Sequence, residues 1–293
     1  MRLVTYGAGV GPRVGVLDED GQVRDATAAL PEGADMVTLI ERWRDVYPSL
    51  TAMDGPALDP DVARLLAPIP VPRRNVFCVG KNYVEHSAEF GRSGYDASDK
   101  GTSLPQRPII FTKAPTAVTG PFDDVDSHAA LTSELDYEAE LAVVIGKTGR
   151  GIGRDQAYEH VFGYTVLNDV TARDLQRDHR QWFLGKSLDT FCPCGPALVT
   201  ADEIPPDDVP ALELECRVND ELRQKARVAD LIFDIPTLIA TISAGITLQP
   251  GDIVATGTPA GVGIGFNPPR FLSAGDTVEA DISRLGTLRN TIR

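Results

Sequence analysis

What the sequence lacks narrows it first. No apolar run in the 293 residues approaches the roughly 18 that a membrane-spanning helix needs. The opening Met1-Arg2-Leu3-Val4-Thr5-Tyr6 lacks the long apolar core of a signal peptide. Cysteine is scarce, with four residues: Cys78, Cys192, Cys194 and Cys216. The closest pair is Cys-x-Cys, which is neither a zinc-ribbon nor a dithiol redox spacing, so reduced thiols in a cytoplasmic protein are expected. Positive charge is in deficit. With 28 basic against 42 acidic residues and a net charge of −14, neither nucleic acid nor an anionic membrane is favoured as the main partner. A small anionic substrate stays open, because a bound cation inverts the field locally. Internal repeats and low-complexity tracts are also missing.

Two phosphate motifs fail on inspection. Gly7, Gly9 and Gly11 have the wrong spacing for a dinucleotide loop; Pro12 follows, and the next segment reads as a strand. Gly146-Lys147-Thr148 and Gly185-Lys186-Ser187 lack the glycine five positions upstream, where Leu141 and Arg180 stand. Lys186 therefore needs another role.

What is present is an ordinary globular composition, 42% hydrophobic and 24% charged, sufficient for one large or two moderate domains. Residues 1–70 read as a small leading α+β domain. It has strands over 3–6 and 13–17, a turn at 18–21, and a helical stripe of Leu39, Ile40, Trp43, Val46 and Tyr47 capped by Asp35. Pro48, Pro56 and Pro60 are expected to break that stripe, and the proline-rich run 68–72 reads as a linker. The second unit, 73–293, is mainly strand.

Its centre is Tyr137-Glu138-Ala139-Glu140-Leu141-Ala142-Val143-Val144-Ile145-Gly146. Side chains two apart on a strand project to the same side, so Glu138 and Glu140 stand together, roughly 6–7 Å apart at Cα. The plain alternative is a wet sheet face. If the two are not solvated, their repulsion needs a cation, and carboxylate oxygens suit Mg²⁺ or Mn²⁺. Asp169 is expected at the end of a strand over 163–170. A helix follows over 171–177, with Thr171 and Asp174 as a capping box and Arg173 and Gln176 on one face. In the helix after Gly80, His86 and Glu89 face each other at i,i+3, where a carboxylate orients an imidazole for general-base work. Residues 91–106 read as a loop that orders over a ligand. Leu212, Leu214, Cys216 and Val218 alternate with charges up to a turn at Asn219-Asp220. A helix capped by Asp234 follows, then a glycine-rich loop, Gly257-Thr258-Pro259-Ala260-Gly261-Val262-Gly263, and a final strand over 277–280.

Taken in order, Val79-Gly80-Lys81-Asn82-Tyr83 with His86 and Glu89, Tyr137-Glu138-Ala139-Glu140-Leu141, the 163–174 segment, Lys186-Ser187, Pro250-Gly251-Asp252 and the 256–263 loop resemble the fumarylacetoacetate hydrolase superfamily over roughly residues 73–293. The resemblance implies a rolled, mixed β-sandwich catalytic domain in a homodimer. It implies a Mg²⁺ or Mn²⁺ site from Glu138, Glu140 and Asp169. Arg173, Gln176, Lys186 and Thr258 would contact a 2-oxo acid substrate, with Lys186 also acting in catalysis and His86 and Glu89 as the water-activating pair. Founding eukaryotic members add an aspartate ligand upstream of the histidine. Here Gly80-Lys81-Asn82-Tyr83 offers none, which resembles the bacterial acylpyruvase and 2-hydroxyhepta-2,4-diene-1,7-dioate isomerase-like branch. The expected activity is metal-dependent hydrolysis of a C–C bond in a 2,4-dioxo acid through an enolate. Oxaloacetate-type decarboxylation and isomerisation are the alternatives on the same residues.

Overall fold

A computed structural model describes the chain except at residues 8, 10, 19, 54–55, 59–62 and 95–103. The fold is mainly β, and one sheet dominates it. Among the described residues that sheet has eleven strands, nine of them along one path. The path runs Val23–Asp25, Pro12–Leu17, Arg2–Gly7, Cys192–Thr200, Val161–Asn168, Ala139–Ile145, Ile253–Ala255, Val76–Gly80 and Ile109–Lys113. Most neighbours are antiparallel, but Ile253–Ala255 and Val76–Gly80 run parallel, so the sheet is mixed. A second sheet orders Glu221–Arg227, Glu213–Val218, Thr277–Ile282 and Gly286–Thr291. One apolar core serves both, from Leu141, Val143 and Val166 on the first to Leu214, Ile282 and Leu288 on the second. The strand Gly286–Thr291 closes the chain after the one expected to be last. The Ser283–Leu285 turn between them carries Arg284 in the left-handed region.

The leading strands extend the large sheet: Arg2 pairs with Val199 and Leu3 with Leu198. The expected helical stripe forms as two helices, Met36–Glu41 and Trp43–Thr51, the first capped by Asp35, which accepts from Thr38 N at 2.7 Å. Pro48 does not end the second helix. Its fixed φ suits a helix, and the missing N–H costs one bond rather than the whole turn. The hairpin at 219–220 turns through two left-handed residues, with φ 50° at Asn219 and 65° at Asp220; this twist matches the paired strands. The capping box at Thr171 and Asp174 does not form. Thr171–Ala172 instead pairs as a short strand with Leu135–Asp136, and the helix begins at Arg173. Asp174 is turned away, accepting from Thr132 Oγ1 and Ser133 N. Most of the loop expected over 91–106 lies outside the described residues; 91–93 belong to the helix Val84–Ser93. No described helix is long and apolar enough to cross a membrane, and all four cysteines are buried free thiols.

Candidate active site

The site is built on the middle of the large sheet. Ala139–Ile145 lies between Val161–Asn168 and Ile253–Ala255, with Glu140 opposite Leu167 and Ala139 opposite Asn168. Beyond this register, the Asn168 side chain accepts from Glu138 N (2.9 Å) and Asp169 N donates to Glu138 O (2.8 Å). That lock brings Asp169, about thirty positions along the chain, beside the Glu138/Glu140 pair. Each of the three carboxylates offers an oxygen within 4.8 Å of the others'. None is solvated: Glu138 is 5% exposed, Glu140 1% and Asp169 0%. The wet-face alternative is therefore overturned.

Three buried cations answer these carboxylates. Lys186 Nζ donates to Glu138 Oε2 and Asp169 Oδ2, both at 2.8 Å. Lys113 Nζ donates to Asp169 Oδ1 at 2.5 Å and to Val170 O at 3.0 Å. Arg173 places Nη1 2.7 Å from Glu138 Oε1 and Nε 2.8 Å from Asp136 Oδ2. Burial opposes the charge on Glu138, but Lys186, Arg173 and His86 outweigh it and hold its carboxyl below the ordinary range. Glu140 goes the other way. Burial, then the like charges of Asp169 and Glu138, push its carboxyl well above the ordinary value, and the Gly257 N–H at 2.7 Å offsets this only in part. Burial likewise opposes the charge on Lys186, yet Asp169 and Glu138 raise it above its usual value. A set of hard oxygen donors, one of them short of positive charge, fits Mg²⁺ or Mn²⁺.

A narrow cleft opens over this cluster, lined by Glu138, Arg173, Gln176, Lys186, His86 and Thr258. Six of the nine predicted residues thus share one cavity. Glu140 and Asp169 support it from the sheet, and Glu89 sits behind His86, with Oε2 3.3 Å from Nδ1. Gln176 Oε1 accepts from Arg173 Nη1 at 3.2 Å. The Thr258 hydroxyl donates to Ala139 O (3.0 Å) and accepts from Gln224 Nε2 (2.8 Å). It has one proton to donate, so bonding a ligand oxygen means giving up Ala139 O. One donor is left over: Arg173 Nη2 is buried and has no partner among the described residues. The opposite wall is aromatic. Trp182 meets Phe90 and Phe111 edge to face, at 5.9 and 5.2 Å between centroids.

Sequence reasoning missed three structural members of the site. Lys113 could have been suspected as a charged residue ending an otherwise apolar strand. Asp136 extends the acidic alternation Glu134, Asp136, Glu138, Glu140; it accepts from Arg173 Nε and from the amides of Gly263 (2.6 Å) and Ile264 (3.2 Å). Gln224, whose side chain also accepts from Ala139 N at 3.1 Å, carries no signal in its strongly polar strand.

A β-sandwich carrying a buried carboxylate triad beside a cationic cleft defines an enzyme scaffold of the metal-dependent kind. The family model for the fumarylacetoacetate (FAA) hydrolase C-terminal domain matches residues 75–293, and the chain belongs to that family. It is 53% identical over 229 residues to the oxaloacetate tautomerase YisK of Bacillus subtilis (strain 168), covering 78% of this chain and 73% of that one. It is 40% identical over 301 residues to the human mitochondrial oxaloacetate tautomerase FAHD2A, covering 100% and 91%. The solved fumarylacetoacetate hydrolase (EaFAH) of psychrophilic Exiguobacterium antarcticum superposes with a TM-score of 0.81 at 42% identity, over 100% of this chain and 99% of that one.

Proposed function

We propose that this chain interconverts the keto and enol forms of a short 2-oxo dicarboxylic acid, with oxaloacetate as the substrate. The observation that carries the reading is the buried Nη2 of Arg173, which has no partner among the described residues, in a cleft floored by Glu138. A buried donor without a protein partner is costly, and a substrate carboxylate would satisfy it. A divalent cation held by Glu138, Glu140 and Asp169 would polarise the carboxylate and keto oxygens of such an acid. Lys186 and Arg173 add fixed positive charge where negative charge grows on the keto oxygen as the enolate forms. His86, backed by Glu89 at 3.3 Å, takes the proton from the carbon next to the keto group. A proton returned to the oxygen gives the enol, and the reverse sequence gives back the ketone, so nothing is consumed. Trp182 packs on Gly80 in the wall of this narrow cleft, where a Cβ would lie 2.4 Å from its ring. That favours a short acid over a long one. The two tautomerase relatives support the same reading.

Cleavage of a C–C bond in a 2,4-dioxo acid is the second reading. The His86–Glu89 pair favours it, since the same base can take a proton from water, and the relative EaFAH is a hydrolase by name. The deciding experiment follows enol-to-keto conversion of oxaloacetate and pyruvate release from acetylpyruvate in parallel, with Mg²⁺, Mn²⁺ and EDTA. Fast, EDTA-sensitive tautomerisation with slow cleavage is expected. Cleavage far faster than tautomerisation would replace the first reading by the second.

A further inference from the structure

Glu89 is gripped from a side that its pairing with His86 does not explain. The N–H of Gly261 donates to both of its oxygens, at 3.2 and 3.3 Å. The carbonyl of the same Gly261 accepts from the buried phenol of Tyr137 at 2.8 Å. We propose that Tyr137 is a positioning residue for the His86–Glu89 pair, acting through Gly261.

The loop needs its glycines. A Cβ at Gly261 would lie 1.9 Å from Arg223 O, and its φ is +102°. A Cβ at Gly265 would lie 1.6 Å from Glu89 Oε1. Gly261 lets the loop backbone come against the Arg223 carbonyl and Gly265 lets it come against Glu89, but glycine is also the residue with the most backbone freedom. The N–H and C=O of Gly261 belong to different peptide planes, joined only by its own φ and ψ. Holding the carbonyl with the Tyr137 hydroxyl anchors one of the two planes and so narrows the directions open to the N–H. Tyr137 is itself enclosed: it is fully buried, its N–H donates to Asp136 Oδ1 at 2.9 Å, and it adjoins Glu138 in the chain. One short segment thus holds a carboxylate of the triad and, through Gly261, the orientation of the imidazole across the cleft. Besides Gly261 O, the Tyr137 hydroxyl also faces the Arg223 side chain.

This inference rests on His86 being the proton-transfer group. Tyr137→Phe keeps the ring and removes the O–H. The expected result with Mn²⁺ is an approximately 10-fold fall in kcat for oxaloacetate tautomerisation, with KM and the affinity for oxalate unchanged. In a His86→Ala background, the same substitution should cause no further loss, because residues acting as one unit are not additive. Replacing Tyr137 by 4-aminophenylalanine, which keeps a donor at that place, should restore most of the lost kcat. It also supplies a folded variant for both backgrounds if Tyr137→Phe does not fold. A loss of equal size with and without His86, or no loss with His86 present, overturns the inference. Wild-type activity in His86→Ala alone would instead overturn the reading of the site on which it rests.

Discussion

Two strands of this protein carry the same local pattern and meet opposite fates. Glu138-Ala139-Glu140 and Glu213-Leu214-Glu215 share the spacing that puts two glutamates on one side of a strand, although the first strand begins only at Ala139. The first pair is buried at the centre of the large sheet, and the second stands on an outer face of the small one, with side chains 47% and 28% exposed. Glu213 and Glu215 are answered from nearby in the chain, by Arg227 at 3.2 Å and Lys225 at 2.7 Å across the hairpin. Glu138 is answered from far away, by Lys186 and Arg173. The consequence shows in the acids themselves. The hydrogen bond from Lys225 draws the Glu215 carboxyl below its ordinary value, whereas burial and the like charges of Asp169 and Glu138 drive Glu140 well above it. A paired surface glutamate is satisfied by its neighbours; a crowded buried one is satisfied by something the fold brings in.

The comparison can be broken at several points. Glu140→Gln or Asp169→Asn should bring tautomerisation down to the background rate, a loss of about 10⁴-fold or more, while Glu215→Gln stays within twofold in the same assay. His86→Ala should cost about 10²–10⁴-fold in kcat, with oxalate affinity retained in a binding titration; loss of both together would mean that the helix Val84–Ser93 shapes the cleft rather than moves the proton. Lys186→Met removes one of the two cations that answer each of Glu138 and Asp169, leaving Arg173 and Lys113, and should lower stability by about 1.5–3 kcal/mol in denaturant melts without added metal. Lys225→Met, which removes the partner of an exposed glutamate, should leave the melting midpoint where it is. Glu213→Gln should be silent in both assays.

Much of the scaffold was legible because it is written locally. The alternation of Leu214, Cys216 and Val218, the Asp35 and Asp234 caps, and the Asn219-Asp220 turn each depend on residues within a few positions, and each forms. Thr171 and Asp174 had the local pattern of a capping box, but pairing with Leu135–Asp136 took Thr171 into a strand. Pro48 failed as a breaker for a similar reason, since packing around Val46 and Leu50 carries the helix through it. The ordered motifs made the triad, Arg173, Lys186 and the His86–Glu89 pair nameable. Lys113, Asp136 and Gln224 stayed hidden because their importance lies in contacts 34 or more residues away, such as Lys113 with Asp169 and Gln224 with Thr258. No pattern within a strand shows which distant side chain it will meet.

On the proposed reading, burial fits the Glu138–Glu140 pair with Asp169, and not its surface counterpart, to hold a divalent cation. Titration calorimetry with Mn²⁺ on the wild type, Glu140→Gln and Glu215→Gln tests it directly. One ion per chain should bind to the wild type and to Glu215→Gln, and none to Glu140→Gln. Binding to Glu140→Gln with the stoichiometry and affinity of the wild type would contradict it.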